Sequence, residues 1–482
     1  MKEIPQKHKI LFKTIGEVAE SINQEVYVVG GYVRDFYLGR ITPDESLDID
    51  FVTVGSGVKL ARELAKKLNS GNLSVFKQFG TAQIKYDGLD LEFVGARKES
   101  YRKSSRKPIV EDGTLEDDQL RRDLTINALS WSLNPGSFGV LMDPFNGIRD
   151  LQKKLIRTPV DPSKTFSDDP LRMMRAVRFA TQLGFTIEDE TWKSICEMSH
   201  RLEIISKERI LEELNKIVMA PKPSSGFKLL DKSGLLNQFF PEMVKLKGVD
   251  EVKGIRHKDN FWHTLKVLDN TAEMSDNLWL RWAAIMHDIA KPPTKRFVKG
   301  IGWTFHGHDA LGAKWVPRIF RRLGLPMDER MKYVQKLVNL HLRPIALASE
   351  EVTDSAMRRL IYEAGDDIDD LMTLCRADIT SKNEKKVKQY LKNFDFVEKK
   401  IQQVEETDKI RNWKNPVTGE DIMQILGVRE GPVIGDIKDD IKEAIFDGDI
   451  PNNREAALEY MKKVAGNHLK KYEGRQKQKD KN

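Results

Sequence analysis

The chain has 482 residues, 40% of them hydrophobic, with Lys plus Arg 80 against Asp plus Glu 73 and a formal charge of +7. That length predicts three or four domains with real cores and excludes wholesale disorder, while the modest basic excess permits nucleic-acid binding without requiring it. No apolar run reaches membrane-spanning length, MKEIPQKHKILFK lacks the apolar segment of a secretory signal, and Cys196 and Cys375 lack C-x-x-C spacing. The expectation is a cytoplasmic protein with no membrane partner, no disulfide framework and no zinc–thiolate site.

The first informative stretch is VVGGYVRDFYLGRITPDESLDIDFVT. Val26 to Val29 is predicted as a short buried strand, Gly30-Gly31 as a sharp turn, and Tyr32 to Leu38 as a helix carrying Arg34 in its first turn and ending at Gly39. The following strand alternates faces, so Asp48 and Asp50 point one way while Ile49 and Phe51 enter a core. Two carboxylates on one face repel each other unless a divalent cation lies between them. A solvated acidic edge is the plain alternative. The glycine turn favours the metal reading, because backbone N–H groups at a helix start suit phosphate. The P-loop pattern is absent, which excludes an ordinary ATPase of that class.

A periodic helix follows at Val58 to Leu68, then strands at Ser74 to Tyr86 and Leu89 to Ala96 joined by an Asp87-Gly88 hairpin turn. Glu92 on the last strand is a third acidic candidate, weighed against an ordinary exposed strand residue. Residues 98 to 120 are charged, Ser-rich and aperiodic, and are predicted to form a long mobile loop of functional type. In RRDLTINAL, Arg121, Arg122 and Asp123 precede a predicted helix containing Asn127. They form either a surface ion-pair cluster or a guanidinium site for triphosphate with a carboxylate for ribose.

From Asp168 onward the signals are almost all helical. In TFSDDPLRMMRAVRFATQLGF, Pro170 fits the first helical position, Asp169 the N-cap, and Gly184 the end. Arg172, Arg175 and Arg178 repeat every third residue from the first turn, where each cation opposes the helix dipole at roughly 0.3–1 kcal/mol, so an anion is expected there. Six of the nine histidines, His257, His263, His287, His306, His308 and His341, fall close together. The doublet His287-Asp288 lies on an apolar helix, with Asp378 downstream. Burying imidazole and carboxylate together is costly unless a cation or hydrogen bonds satisfy them. The last dozen residues look like a solvated basic tail.

GGYVRDFYLG…DID, LEFVGAR, RRDLTINAL and DDPLRMMRAVRFA, in this order over about 28 to 215, resemble the bacterial-type tRNA nucleotidyltransferase (CCA-adding) and poly(A) polymerase family. The resemblance implies a multidomain α+β chain: a polymerase-beta-type nucleotidyltransferase head at 1–155, a helical RNA-binding neck at 156–255, and an HD domain at 256–385. A helical tail would fill 386–482. It implies Mg2+ on Asp48 and Asp50, triphosphate on Gly31 and Arg34, and phosphate and ribose on Arg121 to Asp123. Asp169 and Arg172 would be an amino-acid template for C or A, with Asp168 standing where the family often has Glu. The histidine region resembles an HD phosphohydrolase, with His263, His287, Asp288 and Asp378 as ligands. His308 and His341 would complete a two-metal version, although His306 and His308 are not separable by sequence. Nitrogen and oxygen ligands without thiolate suit Mg, Mn, Fe, Co or Ni.

The expected partners are the tRNA 3′ end, CTP and ATP. The same motifs serve poly(A) polymerases and enzymes that add only CC or A. A phosphohydrolase with a nucleotide-sensing head and a non-catalytic RNA binder are the readings of another kind.

Overall fold

The computed structural model describes residues 3–479 apart from 43–46, 78–79, 101–108, 253, 257–258, 348–352, 382 and 409, so His257 lies outside the described residues. The chain divides into two compact units, Met1–Lys245 with Arg322–Gly324, and Leu246–Arg321 with Leu325–Asn482.

The first unit opens with α1 (Gln6–Ser21), β1 (Glu25–Val29), α2 (Gly31–Leu38), β2 (Asp48–Val54) and α3 (Gly57–Lys67). Then come β3 (Leu73–Phe76), β4 (Thr81–Tyr86), β5 (Leu89–Gly95), β6 (Arg97–Ser100), β7 (Ile109–Asp112), α4 (Leu115–Leu120), β8 (Ser130–Ser132) and β9 (Leu141–Met142). Seven strands form one sheet in the order β3-β4-β5-β2-β1-β8-β9. Among the described residues its only parallel pair is β2 with β5, and that pair is connected through α3 and the β3–β4 hairpin.

Strand alternation divides the sheet into two faces. Ile49 and Phe51 are fully buried, and Phe51 stacks on Phe93 at 4.8 Å with Phe12 of α1 edge-on at 5.9 Å. On the other face, Tyr27, Val29, Val52, Ala96 and Leu115 form a small apolar cluster beyond the two aspartates. Gly30 turns β1 into α2 at φ +67°, a conformation that suits glycine far better than a β-branched residue.

Several expectations change here. The predicted loop 98–120 is instead the β6–β7 hairpin followed by α4, with 101–108 outside the described residues. Helix α4 holds because Thr114 and Asp117 form a reciprocal capping box and Leu115 enters the apolar cluster. The strand predicted across Ser74 to Tyr86 is broken into β3 and β4. Asn127 ends a single 3-10 turn, Thr125–Asn127, rather than lying on an α-helix, and β8 begins three residues later.

The rest of the first unit is helical, with α5 (Gly147–Lys153), α6 (Pro162–Asp168), α7 (Leu171–Leu183), α8 (Asp189–Met198) and α9 (Lys207–Val218). Helix α7 starts one residue later than expected, so Pro170 rather than Asp169 holds the N-cap position; Asp169, one residue before it, accepts from Leu171 N, the first helical N–H, at 3.1 Å. Gly184 ends it in the left-handed conformation at φ +70°.

In the second unit, helices Asn260–Met274, Leu278–Met286, Glu329–Leu340 and Ile368–Ala377 carry the core. Short hairpins at Glu251–Arg256 and Arg296–Thr304 interrupt the helical pattern. The predicted tail is helical as far as Lys479, within helix Arg454–Lys479.

Candidate active site and candidate metal centre

Asp50 and Glu92 are register partners across β2 and β5, with Asp48 two residues along the same face. Asp48, Asp50 and Glu92 therefore share one patch of sheet, with Asp90, the register partner of Asp48, beside them and paired with Lys85 at 3.5 Å. Asp48, Asp50 and Glu92 are all exposed on this face. Desolvation by the surrounding protein raises the Asp50 carboxyl above its ordinary value; Arg122 pulls it back and Asp48 pushes it up further. Partial desolvation, then Asp50 and Asp48, raise Glu92 as well. Acids that impede one another's ionisation fit a divalent cation, which would relieve the repulsion.

Asp50 forms one wall of a cleft of about 620 Å³ that also takes in Gly30, Gly31, Arg34, Arg121, Arg122, Asp123, Asn127, Asp169, Arg172, Arg175 and Arg178. The structure thus brings the nucleotide-binding candidates to one place, while Asp48 and Glu92 lie on the sheet beside it. Seven arginines line the cleft against five carboxylates, an excess that suits an anionic ligand.

A chain of hydrogen bonds continued by ion pairs fixes the geometry. Arg34 Nη1 donates to Asn127 Oδ1 at 2.7 Å, Asn127 Nδ2 to Asp123 Oδ1 at 3.1 Å, and Arg175 Nε to Asp123 Oδ2 at 2.6 Å. Arg175 then reaches Glu213 at 3.7 Å, and Arg178 pairs with Glu213 at 2.8 Å. Asp123 is buried, which alone would raise its carboxyl, yet Arg175 and Asn127 bring it down to about 2. Phe179 lies under three of these cations, with the Arg178, Arg34 and Arg175 guanidiniums 4.0, 4.9 and 5.6 Å from its ring centre. Arg172 Nη2 donates to the Arg121 carbonyl at 2.5 Å. The other oxygen of Asp169 pairs with Arg209 at 2.7 Å.

Sequence reasoning missed Asp118, Phe179, Arg209 and Glu213. Asp118 carried a signal, since DDQLRR sets it three and four residues before Arg121 and Arg122, in ion-pair spacing on a helix. Glu213 and Arg209 carried none, because α7 and α9 meet only in three dimensions.

The second unit gathers His263, His287 and Asp378 in one group and Asp288, His308 and His341 in another, each with donor atoms within 4.8 Å of one another. His287, His341 and Asp378 each cap the C-terminus of a helix, so three negative dipole ends converge. Nδ1 of His287, His308 and His341 donates to the carbonyl of Ala284, Phe305 and Val338, each at 2.7 Å. This tautomer leaves three buried Nε2 lone pairs without a hydrogen-bond partner, which is the arrangement a cation needs. His308 is buried and His306 exposed, which separates the two. Burial opposes a proton on His263, but Asp288 and Asp378 push it up to about 9. Burial also lowers His341 to about 4. Lys291, which sequence reasoning missed, pairs with Asp288 at 2.6 Å.

Four family profiles match in chain order: "Poly A polymerase head domain" over 26–157, "Probable RNA and SrmB-binding site of polymerase A" over 184–246, "HD domain" over 260–383, and "tRNA nucleotidyltransferase domain 2 putative" over 329–461. The A-adding tRNA nucleotidyltransferase of Deinococcus radiodurans is 31% identical over 440 residues, covering 89% of this chain and 93% of that protein. The chain belongs to the tRNA nucleotidyltransferase and poly(A) polymerase family. Other relatives in the family include the multifunctional CCA protein of Vibrio vulnificus, 31% identical with 73% of this chain and 84% of that protein covered. The A-adding enzyme of Aquifex aeolicus is 36% identical over 57% of this chain, which spans 32% of that longer protein. A solved CCA-adding enzyme complexed with ATP shares the fold at TM-score 0.62, 24% identity and 96% coverage of both chains. The chain is accordingly a nucleotidyltransferase of the family that uses divalent metal, and among its described residues no helix is long and apolar enough to cross a membrane.

Proposed function

We propose that this nucleotidyltransferase adds C and A from CTP and ATP to the 3′ end of tRNA in the cytoplasm. The observation that carries the reading is the joining of the three-carboxylate patch to an arginine-rich cleft through Asp50. The related A-adding and CCA proteins support this substrate choice.

Asp48, Asp50 and Glu92 hold Mg2+, which supplies activation of the terminal 3′-hydroxyl and charge neutralisation of the triphosphate. The first-turn N–H groups at Gly31, together with Arg34, Arg121 and Arg122, orient the phosphates. Asp123 accepts three hydrogen bonds, from Leu124 N, Asn127 and Arg175. One of its roughly four lone-pair sites remains for a ribose hydroxyl. Asp169 and Arg172 read the base edge, with Arg175 and Arg178 held behind them by Asp123 and Glu213. The four-part division into head, neck, HD domain and tail at 1–155, 156–255, 256–385 and 386–482 belongs to the same reading.

The two ligand trios favour a second activity in the HD region, metal-dependent phosphoester hydrolysis with Mg, Mn, Fe, Co or Ni. The test of the main reading is incorporation of labelled CTP and ATP, separately and together, into tRNA transcripts ending before CCA, after C and after CC. Completion of all three ends supports it. Addition of A alone to the CC end assigns the chain to the A-adding type, and no incorporation on any end overturns it.

A further inference from the structure

Asp118 is fully buried and touches both phosphate-facing arginines, three and four residues downstream of it. Its Oδ1 accepts from Arg121 Nε at 3.0 Å and also from Arg121 Nη2. Its Oδ2 accepts from Arg122 Nε at 3.1 Å and Nη2 at 3.0 Å. Each guanidinium is thus gripped along the same Nε–Nη2 edge. Arg122 Nη1 is further fixed on the Asn127 carbonyl at 3.2 Å. Both arginines line the cleft and keep 20% and 18% of their side chains exposed.

The helix that carries Asp118 is itself anchored on both sides. Leu115 packs with Tyr27, Val29, Val52 and Ala96. Gln119 Nε2 donates to the Ala128 carbonyl at 2.8 Å, to Ser130 Oγ at 2.9 Å and to the Met142 carbonyl at 3.2 Å. A side chain on so short a helix gains a fixed position only through such ties, and here they join it to β1, β2, β8 and β9, of which β2 carries Asp50 into the cleft.

We propose that Asp118 is a positioning residue for nucleotide addition, holding Arg121 and Arg122 as one preset fork for the triphosphate. The inference rests on the reading that these two arginines meet phosphate. Electrostatics and positioning make opposite predictions for its removal. Neutralising Asp118 makes the cleft more positive, so if charge alone mattered, nucleotide would bind more tightly. If position matters, two long side chains regain rotamer freedom and binding weakens.

The experiment measures KM and kcat for CTP and ATP, pyrophosphate inhibition and melting temperature in Asp118→Asn and Asp118→Glu. Asp118→Glu keeps the charge but moves it by one methylene, and it carries the test if the Asn variant fails to fold. The expected result is that KM for both nucleotides and the inhibition constant for pyrophosphate rise about tenfold, the scale of one hydrogen bond to a charged group, with kcat within about threefold. In an Arg122→Lys background the Asp118→Asn effect should shrink, because the fork is already lost. Unchanged or lower KM in a folded Asp118 variant, or full additivity with Arg122→Lys, overturns the inference. Arg121→Ala and Arg122→Ala, each leaving both KM values unchanged, would instead overturn the phosphate reading on which it stands.

Discussion

Asp50 and Glu92 face each other across the parallel pair β2 and β5, which puts an acid from each side of a crossover at one point of the sheet. Both carboxyls are raised, partial desolvation by the surrounding protein being the first cause for each and repulsion among the carboxylates of the patch adding to it. A carboxyl raised on folding contributes stability below its unfolded value and loses it as pH rises through the folded value. At neutral pH the metal-free patch is therefore a destabilising element. Asp50→Asn should lower incorporation about a hundredfold or more while leaving the melting temperature unchanged or slightly higher. Added Mg2+ should raise the melting temperature of the wild type more than that of Asp50→Asn. Full incorporation by the Asn variant would falsify the assignment.

The HD cluster gives a sharper contrast, between His308 and His306. His308 is buried with Nδ1 on the Phe305 carbonyl, and His306 is exposed. His308→Asn should cut bound divalent metal by about half, since one of two ligand trios loses an imidazole. His306→Asn should leave metal content unchanged. Metal analysis of the purified variants decides it, and equal loss in both would reject the ligand set. His287→Ala should leave nucleotide addition within several-fold of wild type, because its motif lies in the other compact unit.

His8 supplies a test of acid sensitivity. It is fully buried under α2, packed on Phe12, with Nδ1 2.8 Å from the Tyr32 hydroxyl and Nε2 unpartnered. Burial, then Lys7, lower its pKa from 6.5. Between that folded value and 6.5 the unfolded chain binds more protons, so stability rises with pH through this window and is fully present above it. His8→Gln, which keeps an acceptor for Tyr32, should flatten the slope of unfolding free energy below pH 6.5. The ceiling on the lost slope is one proton, about 1.4 kcal/mol per pH unit. Parallel slopes in urea titrations at several pH values would show that His8 does not titrate on unfolding.

What is legible in the sequence is whatever a local period expresses. Alternation in DIDFV gives the faces of β2, and Gly30-Gly31 gives the turn, since both are properties of consecutive residues. The placement of Glu92 beside Asp50 is not local. Parallel pairing passes through α3 and a hairpin, and no residue spacing records its register. Helix α4 is hidden for a similar reason. Its six residues hold few apolar side chains, and it is fixed by Leu115 and Gln119 contacts to strands distant in sequence. The arginine period of α7 was visible, but its meaning depends on Glu213 and Asp123, which arrive from separate elements.

Asp169 is where capping and base choice compete most directly, and both of its oxygens are engaged. Oδ1 accepts from Leu171 N at 3.1 Å and Oδ2 from Arg209 at 2.7 Å. If capping were its whole role, Asp169→Asn and Asp169→Ser would be nearly silent, since both cap well, and only Ala would cost about 1 kcal/mol. If the carboxylate accepts from the amino group of C or A while Arg172 donates to a ring acceptor, even good caps lose discrimination. The Asn amide can also donate to a carbonyl, which would admit UTP or GTP. Asp169→Asn should therefore keep the melting temperature and raise misincorporation, and Arg172→Ala should lower incorporation of both CTP and ATP. Relative kcat/KM for all four nucleotides on a tRNA primer, with a melt for each variant, decides the matter. Wild-type selectivity in both Asp169→Asn and Asp169→Ser would make Asp169 a cap and place base choice elsewhere.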